Sequence, residues 1–228
     1  MSLSQFTYNV SISLLPVLLG MILHEIAHGW VAWKMGDPTA KLMGRLTLNP
    51  IPHLDPLGTL FFIITAFASR AGGIPFIFGW AKPVPIDPRR FKNFRQGMVL
   101  VSLAGASANL LLAFVFTLFT KLIYIFRIVR PTTIALTGQS FLLDMCVMGI
   151  YVNCTLAWFN LMPIPPLDGS KVLGSLMPPQ MARTYFSVER YGMIIVLLLF
   201  VTNILPKIMW PLIETTVRIF SQVVDFIF

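Results

Sequence analysis

Residues 8–33 form an apolar run with no Lys, Arg or Asp, yet His24, Glu25 and His28 stand inside it. At ~1.5 Å per residue a helix of this length crosses the ~30 Å hydrocarbon core of a bilayer. The first basic residue is Lys34, so the start lacks the positive n-region of a cleaved signal peptide. The run is therefore expected to stay in place as a membrane span.

Further apolar runs follow. Residues 36–56 are punctuated by Pro and Gly and cannot be one helix. Residues 57–68 are apolar but short, and Ser69-Arg70-Ala71-Gly72-Gly73 interrupts them before a second apolar piece at 74–80. Residues 97–126 and 141–161 read as clear spans, 163–179 is rich in Pro and Gly, and 191–205 with 208–228 supply one or two more around Pro206. Charged residues make up 11% of the chain and hydrophobic ones 56%, with mean hydropathy +0.78; a soluble domain carries about 25% charged. The expectation is an all-α polytopic membrane protein of about five to six transmembrane helices. A re-entrant hairpin with a short β segment is expected after the first helix. The chain reads as one domain, 1–228, with a core over about 8–175 and C-terminal spans over about 189–228, leaving no room for an appended regulatory domain.

The net charge of +8 does not point to nucleic acid. Basic residues beside spans set topology by the positive-inside rule. Nine of them lie between Lys34 and Arg95 and none before, which puts the N-terminus away from the cytosol and 34–95 on the cytosolic side. Cys146 and Cys154 share an apolar run without a CxxC pattern and read as small buried residues.

His24-Glu25-Ile26-Ala27-His28 places two imidazoles at i and i+4 on one helix face, where both can reach a single metal ion. Glu25 is placed to take a proton from water activated by that metal. An ionisable group at the centre of a spanning helix costs about 2.5–3.5 kcal/mol, so three in five residues need a shared reason. A histidine pair facing a transporter cavity, with Glu25 as a proton relay, is the bland alternative. A catalytic zinc takes three protein ligands plus water. His53, Asp37, Asp55, Asp87, Asp144, Asp225, Glu189 and Glu214 are available as a third ligand, but Asp168 differs from them. It stands in Asn160-Leu161-Met162-Pro163-Ile164-Pro165-Pro166-Leu167-Asp168-Gly169, where prolines end an apolar helix and backbone at membrane depth must line a cavity. A carboxylate there suits zinc; capping of the next helix is the other use. His53 and Asp55 form a second possible metal pair, although a loop role fits their prolines better. Asn160 suits an oxyanion or, alternatively, a helix-end cap.

HEIAH on an early span together with NLMPIPPLDG after a later one resembles the site-2 protease family of intramembrane zinc metalloproteases. Gly44-Arg45-Leu46-Thr47-Leu48-Asn49-Pro50, His53-Leu54-Asp55-Pro56-Leu57-Gly58 and Phe78-Gly79-Trp80-Ala81-Lys82-Pro83-Val84 look like those of its small bacterial members without a PDZ domain. The likeness covers about residues 20–175. It implies one zinc ion held by His24, His28 and Asp168, Glu25 as general base, and Asn160 as a polar group beside the reacting carbonyl. It departs at Ala104-Gly105-Ala106, where many relatives have Pro after the Gly.

The implied substrates are transmembrane segments of single-span membrane proteins, cut within the bilayer of a bacterial cell membrane on its cytosolic side. Such a helix must unwind first, and the edge at 74–80 could hold it by strand addition. Two rivals are a membrane metalloprotease with Glu189 or Glu214 as third ligand, and a metal or proton transporter, which would favour repeated halves that the chain lacks.

Zinc also tests topology. His24, His28 and Asp168 must share one depth, so the spans at 8–33 and 141–161 run the same way with 97–126 returning between them. Residues 57–80 then cross zero or two times. Ser102, Ala106, Asn109 and Ala113 form a stripe of small residues suited to close helix packing, with Asn109 only a weak candidate for the site.

Overall fold

The computed structural model describes residues 2–70, 79–126 and 139–228. Helix α1 (Leu3–Met35) starts where the Ser2 hydroxyl accepts the Gln5 N–H and stops at Gly36, whose φ of 116° turns the chain out of the helix. A short α2 (Thr39–Leu42) follows, then α3 (Pro56–Arg70), which Asp55 caps by accepting the Gly58 N–H at 2.7 Å. Residues 79–87 form an irregular strap. Helix α4 (Phe94–Ile125) begins at Asn93, whose side chain accepts the Gln96 N–H. Helix α5 (Gln139–Asn160) ends at an irregular, proline-rich loop over 161–167 that holds a cis Pro165–Pro166 bond. Helices α6 (Asp168–Leu176), α7 (Pro179–Ser187), α8 (Glu189–Val201) and α9 (Ile204–Ile227) complete the chain.

Among the described residues, three helices are long and apolar enough to cross a membrane: α1, α4 and α5 over Phe141–Asn160. A fourth span is possible if α7 and α8, bent by 60° at their junction, count as one. The chain is a membrane protein of this helical type. The described residues thus supply three or four spans where five to six were expected. The apolar part of α3, Pro56–Thr65, is short. Helix α9 carries Lys207, Glu214, Arg218 and Asp225, and it buries a stripe of Leu205, Met209, Ile213 and Val224. It behaves as an amphipathic packing helix. Among the described residues there is no strand, only one antiparallel bridge between Leu54 and Ala81. The β segment expected at 74–80 lies outside the described residues through position 78.

Helices α1, α4 and α5 pack on one another and form the centre of the fold. Side-chain pairs give their directions. Moving back along α1 from His28 to His24 to Gly20, the partners on α4 advance from Val101 to Asn109. Tyr8 pairs with Asp144 near the starts of α1 and α5, and their ends meet again through His28 and Asp168. So α4 runs against α1, and α5 runs with it, as the zinc argument required. Ser102, Ala106, Asn109 and Ala113 are all buried. The apolar core around Phe116, Ile150, Cys154 and Leu205 lies between α4, α5 and the C-terminal helices, and both cysteines are free and buried.

Candidate metal centre

The i, i+4 spacing on α1 places the His24 and His28 rings edge to face, with centroids 4.5 Å apart. Their Nε2 atoms lie 2.9 Å apart. Asp168, first residue of α6, reaches the same point: its Oδ2 is 3.3 Å from His24 Nε2 and 2.9 Å from His28 Nε2. All three residues are buried. Among the described residues they form the one group of three or more such side chains able to hold a metal ion.

Two glycines permit this convergence. A Cβ on Gly105 of α4 would stand 2.4 Å from His28 Nε2 and 2.5 Å from His24 Cε1. A Cβ on Gly169 would stand 2.1 Å from the Leu161 carbonyl oxygen, so glycine lets α6 begin hard against the end of α5. The prolines in 161–167 stop α5 and free the chain to turn. Asp168 is thereby delivered into the bundle.

The donor chemistry fits a divalent cation. His28 Nδ1 is 2.6 Å from the Val101 carbonyl oxygen, which can only accept, so Nδ1 carries the hydrogen. His24 Nδ1 donates to Asn109 Oδ1 at 2.7 Å. In the neutral rings both Nε2 atoms then hold lone pairs. Two such nitrogens and a carboxylate oxygen at this spacing repel one another unless a cation sits among them. Lys171 Nζ engages the other oxygen of Asp168, Oδ1, at 2.9 Å, leaving Oδ2 as the oxygen turned to the histidines.

A cavity of about 380 Å³ borders the trio. Its wall includes Glu25, Val84, Asn160 and Lys171. Half-buried Glu25 accepts the Val84 N–H on Oε2 at 2.7 Å, so the 79–87 strap lies directly over it. Asn160 turns its Nδ2 back to the Leu156 carbonyl at 2.9 Å, and it lines the cavity from the last turn of α5.

The other candidates fall elsewhere. His53 is buried with Nε2 donating to the Thr47 carbonyl, and Asp55 caps α3. Asp37 is buried and accepts the backbone N–H groups of Thr39 and Asp87. Glu189 and Glu214 are exposed, and neither belongs to the metal-ligating group. Sequence reasoning missed Val84, Gly105, Asn153 and Lys171, and it undervalued Asn109. A signal existed for Asn109 and Asn153: each is an amide in the middle of an apolar span, where a polar group must find a partner.

No family model and no solved structure matches the chain. Three relatives carry the name "Putative zinc metalloprotease". YwhC of Bacillus subtilis is 37% identical over 221 residues, covering 93% of this chain and 94% of YwhC. Rip2 of Mycolicibacterium smegmatis is 30% identical over 83% of this chain and 66% of its own length. MJ0611 of Methanocaldococcus jannaschii is 31% identical over 71% of this chain and 69% of its own. YwhC is matched almost end to end, in a chain whose HEIAH histidines meet a distant aspartate, and the protein belongs to this family of zinc metalloproteases.

Proposed function

We propose that the chain is an intramembrane zinc metalloprotease of the site-2 protease type, cutting peptide bonds within or beside transmembrane segments of single-span membrane proteins. One observation carries the reading: His24 Nε2, His28 Nε2 and Asp168 Oδ2 lie within 3.3 Å of one another, buried among spanning helices. The zinc metalloprotease relatives supply the identity of the cation. Three nitrogen and oxygen ligands are what a catalytic zinc takes, with a further position left for water.

His24, His28 and Asp168 would hold one zinc ion. Bound there, the ion supplies a Lewis acid that polarises a carbonyl and lowers the pKa of water toward ~7. Glu25 acts as general base: its carboxylate takes the proton of the attacking water and passes it to the leaving amine. The Val84 N–H orients that carboxylate. Asn160 offers an amide N–H from the cavity wall toward the substrate carbonyl oxygen.

Substrate helices hide their carbonyls in backbone hydrogen bonds, so a segment must unwind before attack. The cavity, walled on one side by Pro83, Val84 and Ile86, is where the unwound segment would lie. Basic residues over 34–95 support a cytosolic position for the strap and active site, with a non-cytosolic N-terminus. The spanning helices α1, α4 and α5 support a place in a membrane, here assigned to the bacterial cell membrane.

Metal analysis of the purified chain, run beside a cleavage assay on a panel of single-span membrane proteins, tests the reading. One zinc per chain is expected, with cleavage that a chelator stops and added zinc restores. Zinc-independent cleavage, or zinc bound without cleavage of any membrane segment, would overturn it.

A further inference from the structure

We infer that Asn109 of α4 and Asn153 of α5 form a relay of side-chain amides that fixes the tautomer of His24 and so sets how tightly the site holds its cation. The inference rests on the zinc reading above. It makes Asn153 a positioning residue acting through Asn109 and His24, from a helix that contributes no ligand.

Each amide is oriented by a backbone carbonyl that can only accept. Asn153 Nδ2 donates to the Gly149 carbonyl at 2.9 Å, so its Oδ1 is left to accept. That oxygen takes a hydrogen bond from Asn109 Nδ2 at 3.0 Å. The same Nδ2 donates to the Gly20 carbonyl, also at 3.0 Å. Both hydrogens of the Asn109 amide are thereby used, and its Oδ1 faces His24 Nδ1 at 2.7 Å. His24 must donate from Nδ1, and its Nε2 lone pair points to His28 and Asp168.

Asn109 turned end for end would aim an NH2 at His24 Nδ1. The ring would then carry its hydrogen on Nε2, where the cation belongs. The relay prevents this. Both asparagines are 0% exposed, so a partner lost from the pair leaves a buried polar group unsatisfied. Gly20, one turn before His24, makes the room: a Cβ there would lie 2.5 Å from Asn153 Oδ1 and 3.3 Å from Asn109 Nδ2. Metal-ligating histidines commonly have a partner at the second nitrogen, and losing it weakens metal binding. Here the partner is itself held by a third helix.

Zinc affinity of the full chain in detergent, measured by competition with a chelator, tests the relay together with ¹⁵N NMR of labelled histidine, of which the chain has three. Asn109→Leu is expected to weaken zinc binding about 10- to 100-fold, and Asn153→Leu to weaken it in the same direction by a smaller factor. Metal-free wild type, at a pH high enough to leave the rings neutral, should show His24 carrying its hydrogen on Nδ1, and Asn109→Leu should shift that hydrogen toward Nε2, a change that general loosening of the fold does not produce. Zinc affinity within twofold of wild type in both variants, or a neutral wild-type His24 whose one ring hydrogen sits on Nε2, overturns the relay. If Asn109→Leu does not fold, Asn153→Leu and the wild-type spectrum still decide. A wild type that binds no zinc sinks the functional reading instead, and the spectrum then judges the relay alone.

Discussion

The backbone N–H of Val84 donates to Glu25 Oε2 at 2.7 Å, tying an irregular strap to the carboxylate between the two histidines. Val84, part of that strap, is buried. A base held this way keeps its position before any substrate arrives, which is what general-base catalysis needs from its surroundings.

Glu25→Gln separates chemistry from metal binding. The glutamine side chain retains an oxygen that can accept the Val84 N–H, but it cannot take a proton. Cleavage should fall by about 10²- to 10⁴-fold, with zinc content unchanged. Cleavage assays paired with metal analysis check both halves; near-normal turnover in this variant would remove Glu25 from the mechanism.

Asp168→Ala should lose zinc, since it deletes the carboxylate whose Oδ2 reaches both histidine Nε2 atoms. Glu189→Ala should keep zinc at the wild-type level, because Glu189 is exposed and lies outside the metal-ligating group. Equal zinc loss in the two variants would contradict the ligand set.

Gly105→Ala inserts a methyl where only glycine fits, 2.4 Å from His28 Nε2. Overpacking of this kind costs about 1–3 kcal/mol. Relief of the clash must move a ligand ring, so zinc affinity should drop by about tenfold or more. Chelator competition measures the change. A Gly105→Ala protein with wild-type affinity would show that α4 yields without disturbing the rings.

Asp87, on the strap side of the fold, gives a pH-dependent contribution. The Arg89 side chain donates to its carboxylate at 3.0 Å and Arg90 at 3.3 Å, and the Arg89 hydrogen bond foremost holds this carboxyl below its ordinary range. A carboxylate depressed on folding stabilises the protein at pH above its unfolded pKa of ~3.9 and loses that contribution as pH falls through the folded value. The Asp87 side chain is partly exposed, so the effect is small and salt-sensitive. Thermal midpoints of wild type and Asp87→Asn should differ slightly at neutral pH and converge in acid. A gap that widens on acidification would reverse the sign.

Much of the centre was legible before any coordinates. The i, i+4 histidines need only helix geometry to share a face, and Asp168 stands out because prolines and a glycine surround it at membrane depth. The charge distribution and the metal requirement also predicted the relative directions of α1, α4 and α5. Hydropathy alone does not separate a crossing helix from α9, which buries an apolar stripe against the bundle yet carries Lys207, Glu214, Arg218 and Asp225. Val84 left no trace in composition: its part is played by a backbone N–H, which every residue but proline has.

The order of residues by itself determined that this chain enters a membrane and presents two imidazoles and a carboxylate on one helix, because hydrophobic length and helical period are local properties. Which nitrogen of His24 is free and which amide points at it were decided only by the packing of α1, α4, α5 and α6. Those are contacts between segments far apart in sequence, and their geometry comes from close approach at Gly20, Gly105 and Gly169. A glycine in sequence signals only that something can come near. The fold selects what does.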